Sequence, residues 1–124
     1  MKLNAFMTIT ALIAFIFGVA FIIAPSWSLQ VYGVTADVNT QFLGRYFGAT
    51  LIGIAFLAWL ARNTPHSNAR QAILISLFVS NLLGSIVAVY DKFAGFTNQF
   101  VWLNVAIYLI LALGFGYYSF IKAD

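Results

Sequence analysis

The sequence predicts an all-α membrane protein: a four-transmembrane-helix bundle, both termini cytoplasmic, with a short interfacial helix between helices 1 and 2. Three observations carry this. The chain of 124 residues is 63% hydrophobic and only 7% charged, too few charges to cover a water-soluble globule of that size. Its apolar residues fall into four runs, at about residues 3–24, 42–61, 72–90 and 100–120. Each run is close to the ~20 residues that span ~30 Å of hydrocarbon as a helix. The runs are continuously apolar, without the period-two alternation of a membrane β-strand.

The first run follows Lys2, as a signal peptide would, but it is longer than a usual h-region. Ile22-Ile23-Ala24 also lacks small residues at both cleavage positions, so the run is expected to stay as a span. PSWSLQVYGVTADVNTQ, residues 25–41, is long for a hairpin. Pro25 suits a first helical turn and Gly33 a helix end, which predicts a short helix over 25–32 with Trp27 and Tyr32 at headgroup level. Asp37 and Asn39 are candidate caps of the second span. RNTPHSNAR, residues 62–70, reads as a tight polar turn, with His66 a solvated loop residue. DKFAGFTNQ, residues 91–99, reads as a short loop whose Phe93 and Phe96 dip into the interface. Residues 1–124 thus form a single integral membrane domain.

An even number of spans puts both ends on one side. That side carries Lys2, Arg62, Arg70 and Lys122 and the other carries Arg45 and Lys92, a 4 to 2 bias that predicts cytoplasmic termini in the inner (plasma) membrane. The net charge of +3 comes from scattered basic residues that make no patch, so nucleic acid is not an expected partner.

Lipid gives helices no hydrophobic drive to associate, so small residues and interhelical hydrogen bonds must hold them. Each span has such a stripe at i, i+4 spacing: Thr10, Ala14 and Gly18; Arg45, Ala49 and Gly53, beside Gly44 and Gly48; Ser76, Ser80 and Gly84, beside Asn81 and Ser85; Asn104, Tyr108, Ala112 and Gly116. Bulky opposite faces, including Phe78, Leu82, Leu103 and Ile107, are expected to meet lipid. At 1.5 Å per residue, Arg45 and Asn104 lie about 5 Å inside the outer boundary, Ser85 slightly deeper, and Asn81 and Tyr108 nearer the midplane. These five side chains make one candidate ligand site, an outward-facing polar cavity. The bland account is that Ser, Asn and Tyr only join helices, at about 0.6 kcal/mol each. Arg45 divides between ligand binding and snorkelling to the headgroups.

No chemistry-bearing constellation accompanies them. The chain has no cysteine and one histidine, and its three carboxylates, Asp37, Asp91 and Asp124, lie outside the spans. That excludes thiolate metal sites and counts against a proton-coupled pump, an axial haem ligand within a span, or an acid/base pair. No catalytic residue, metal or cofactor is assigned.

GVAFIIAPSWSLQVYG followed by LGRYFGATLIGIAFLAWLAR carries a glycine late in helix 1, a proline, a stretch ending in glycine, then Arg-x-x-Gly. Through Gly18, Pro25, Gly33, Arg45 and Gly48, residues 18–62 resemble the small bacterial four-helix membrane proteins of unknown function that are broadly DoxX-like. The resemblance implies the architecture and a structural prominence for Arg45. Its relatives are tied loosely to redox or sulfur metabolism as accessory components, and none of their catalytic residues is matched here.

The expected function is that of a non-catalytic accessory subunit or a binder of a lipid or other hydrophobic molecule near Arg45, with membrane lipids as partners. The alternatives are an oligomeric channel or transporter assembled through the Gly44/Gly48 face, and a helix-donating subunit of a larger membrane redox complex.

Overall fold

The computed structural model describes residues 2–121. It is all-helical among these residues, in the order α1 (Leu3–Ile23), α2 (Pro25–Val31), α3 (Val38–Ala61), α4 (Asn68–Phe93) and α5 (Val101–Phe120). Helices α1, α3, α4 and α5 are each long and apolar enough to cross a membrane. Large apolar side chains stand open along them, with Ile16 65%, Leu60 74% and Leu113 65% exposed, a surface that suits hydrocarbon and not water.

The elements sit where the apolar runs predict, with longer ends. Helix α3 starts at Val38 and not residue 42, because Asp37 caps it by accepting from the Thr40 backbone N–H at 2.8 Å. Helix α4 starts at Asn68 and not residue 72. Ser67 caps it, so the polar turn shrinks and Arg70 becomes a helical residue.

Residues 7–62 form one compact unit. Within it, Ala24 alone separates α1 from α2, and the buried Ser28 hydroxyl donates to the Ala20 carbonyl at 3.0 Å, tying the short helix to the end of α1. Helix α2 ends in a Schellman arrangement, Val34 N–H to Leu29 O and Gly33 N–H to Gln30 O, which requires the left-handed φ of 75° that Gly33 adopts. Helices α1 and α3 then run antiparallel: Gly18 meets Gly48 and Ile52, Ile22 meets Gly48, and the rings of Phe21 and Phe47 meet edge to face at 5.1 Å.

Residues 2–6 and 63–121 belong to the second unit. Its helices α4 and α5 are an antiparallel hairpin, fastened by Gln71 Nε2 donating to the Ser119 carbonyl at 2.6 Å, by Phe78 against Gly116 and Phe120, by Gly84 against Tyr108, and by Phe93 against Trp102. The turn repeats the Schellman pattern, with Gly95 at φ 84°. The first turn of α1 packs here: Phe6 lies on Gly114 and meets Phe115 at 4.8 Å and Tyr118 at 5.7 Å between ring centroids.

Candidate functional site

Arg45 lies eight residues beyond the Asp37 cap. The start of α3 is firmly held, since Asp37 also accepts from the Thr40 hydroxyl at 2.8 Å and Gln41 Nε2 donates to the Ala36 carbonyl at 2.7 Å. The Thr40 backbone N–H, then its hydroxyl, stabilise the ionised carboxylate and hold the Asp37 pKa below its ordinary value. Arg45 itself is exposed, and among the described residues no hydrogen bond or ion pair engages it.

The small-residue face that packs in α3 is the neighbour of the one containing Arg45. Gly44 and Gly48 are buried, against Phe21, Leu29 and Pro25 and against Gly18 and Ile22 respectively. Arg45, Ala49 and Gly53 are all exposed, and a Cβ on Gly53 would meet nothing within 4 Å. The expected stripe is therefore displaced by one residue, about 100° around the helix. The cause is steric: the backbones of Gly18 and Gly48 approach so closely that only this face fits against α1.

Helix α4 shows a similar shift. Its buried polar residues are Arg70, Asn81 and Ser85, while Ser76 and Ser80 are exposed. Asn81 Nδ2 donates to the Leu77 carbonyl at 2.7 Å and Ser85 Oγ to the Leu82 carbonyl at 2.8 Å, so both hydrogen bonds return to their own helix. On α5, Asn104 and Tyr108 are half-buried, and the Tyr108 ring lies directly on Gly84. Gly116 receives the Phe78 ring, which corrects the expectation that Phe78 faces lipid. The structure thus brings Gly84 and Tyr108 together across the α4–α5 hairpin, leaves Asn81 and Ser85 bonded within α4, and has Arg45 in the other unit.

Two outlying expectations also receive a place. Trp27 is 64% exposed, but Tyr32 is buried, so only the former offers its ring to the surroundings. Phe93 and Phe96 are both exposed. Lys122 and Asp124 lie outside the described residues. Among those described, no group of three or more His, Cys, Asp or Glu could hold a metal ion.

Sequence reasoning missed an apolar groove between α1 and α3. It measures ≈ 170 Å³ and is lined by Ala11, Leu12, Phe15, Ala55, Phe56 and Trp59. At its α3 C-terminal end the Arg62 guanidinium lies 3.7 Å from the Trp59 ring centroid, and its Nη1 donates to the Trp59 carbonyl. The signal was legible: Trp59 and Arg62 are three apart, which puts them on one helix face.

No curated protein and no solved structure matches this chain. Residues 3–124 do match a family whose description is Domain of unknown function (DUF8292). With nearly its whole length matched, this helical chain, with four helices long and apolar enough to cross a membrane, belongs to the DUF8292 family.

Proposed function

We propose that the chain is a non-catalytic integral membrane protein that binds a lipid, or another hydrophobic molecule with a polar head, at a site that includes Arg45. In this reading all four long helices span the bacterial inner membrane, α2 lies in the outer interface and both termini are cytoplasmic. The observation that carries it is the exposed guanidinium of Arg45, two turns inside an apolar helix and with no carboxylate partner among the described residues. An intramembrane arginine by default marks a functional site, and a planar, always-charged fork recognises phosphate or carboxylate. Asn81, Ser85, Asn104 and Tyr108 stay in the proposal as candidate polar groups of the α4–α5 hairpin. So do the DoxX-like kinship of residues 18–62 and an accessory role beside a larger membrane complex.

Native mass spectrometry of the wild-type protein and Arg45→Ala, extracted from the same membranes, tests this. The variant should retain fewer lipids or quinones; equal retention by both would sink the assignment.

A second reading, assembly with another copy or a partner, is favoured by the open Ala49/Gly53 face. The Gly44/Gly48 face is covered by α1 and α2, so an oligomer joined there would have to displace them. Crosslinking in native membranes that yields only monomers, with no partner attached, would rule this reading out.

A further inference from the structure

The groove between α1 and α3 ends at Trp59, on whose ring the Arg62 guanidinium lies. Ala11 and Ala55 form its floor, both buried, and their small side chains leave the space that larger residues would fill. Leu12, Phe15, Phe56 and Trp59 form its walls and are 54%, 47%, 55% and 43% exposed, so the groove opens sideways from the helix pair. A cavity of about 150 Å³ accepts a benzene-sized apolar molecule; the ≈ 170 Å³ here accepts a stretch of one acyl chain. Its lining carries no charge.

Hydrocarbon alone would fill such a groove without selectivity, because lipid tails are as apolar as leucine. Selectivity must come from the polar end. Of the five N–H donors of Arg62, one of the two at Nη1 goes to the Trp59 carbonyl, and the others have no partner among the described residues. The Nη1 contact meets the negative end of the α3 dipole, which would otherwise repel an anion. Stacking on Trp59 fixes the plane of the guanidinium beside the groove. What remains is a donor fork at the end of an apolar slot, matching a phosphate joined to a chain.

We propose that this groove and Arg62 bind one acidic phospholipid, with its phosphate on the guanidinium and part of an acyl chain against Ala11, Ala55 and Phe56. The site does not depend on the Arg45 reading. Arg45 and Arg62 are seventeen residues apart, about 26 Å along the helix at 1.5 Å per residue. They would meet lipids of opposite leaflets.

The test uses the full chain with Trp27→Phe and Trp102→Phe, leaving Trp59 as the only indole. It is reconstituted in phosphatidylcholine vesicles containing either phosphatidylglycerol or phosphatidylcholine with brominated acyl chains, which quench nearby indoles on contact. Half-maximal quenching should need about fivefold less brominated phosphatidylglycerol, the equivalent of about 1 kcal/mol per basic residue at an anionic surface. Arg62→Gln should bring the two lipids to parity. Salt near 1 M, where the screening length is about 3 Å, should shrink the preference in the Arg62 protein; a preference that persists there would overturn the proposal even if the variant does not fold. Equal quenching by both lipids, no quenching by either, or a preference that survives Arg62→Gln would overturn the proposal.

Discussion

Gly18 and Gly48 touch backbone to backbone: a Cβ on Gly48 would lie 2.7 Å from the Gly18 carbonyl oxygen, and one on Gly18 would lie 2.9 Å from the Gly48 carbonyl oxygen. Neither oxygen can swing aside, because each belongs to a helix. Without a hydrophobic drive between helices in lipid, this close approach is what seats α1 against α3.

Gly48→Ala should therefore destabilise the protein by about 1–3 kcal/mol through overpacking, more than the ~0.5–1 kcal/mol that alanine gains over glycine in a helix. Gly53→Ala meets open space, so only the propensity gain remains and its effect should be neutral or slightly stabilising. Reversible unfolding of both variants in mixed micelles checks the pair. Equal destabilisation by the two would refute the assigned packing face.

The Gly84 and Tyr108 pair offers a coupled test on the α4–α5 hairpin. A Cβ on Gly84 would lie 2.6 Å from the ring atoms Cδ1 and Cε1, close to the ring's attachment, where it cannot easily yield. Gly84→Ala should cost about 1–3 kcal/mol, and Tyr108→Ala should relieve most of it. A double-mutant cycle in the same micelles should return a coupling within about 0.5–3 kcal/mol; additive effects would show that the ring does not lie there.

Gln71 bonds the carbonyl of Ser119 across 48 positions of sequence, joining the open end of the hairpin. Gln71→Leu should lower stability by about 0.6 kcal/mol, and by no more than about 1.7, the range measured for interhelical hydrogen bonds in membranes. A larger loss in an unfolding titration would indicate that the residue does more than join the two helices.

Asp37 predicts an acid sensitivity of known sign. Its pKa is lowered in the folded state from 3.8, so its contribution is complete above the unfolded value and is lost as pH falls through the lower folded one. Asparagine caps a helix about as well and does not titrate. Wild type and Asp37→Asn should therefore unfold alike near neutral pH, with wild type losing ground to the variant only below pH 3.8. Parallel melting temperatures through that window would remove the cap from the account.

Much of this protein was legible in its sequence. A membrane helix must satisfy its own backbone hydrogen bonds, so apolar length alone located the four long helices. Pro25 and Gly33 bracketed α2, and Asp37 marked the start of α3, since capping and left-handed turns are local chemistry. What only the tertiary structure decided is rotation about each helix axis. In spans that are apolar all round, neighbouring small-residue stripes look equivalent, and one residue separates Gly44/Gly48 from Arg45/Ala49. The mutual approach of Gly18 and Gly48 chose the first and left Arg45 exposed. It also left Ala11 opposite Ala55, creating a groove beside Arg62 that exists only as a relation between two helices.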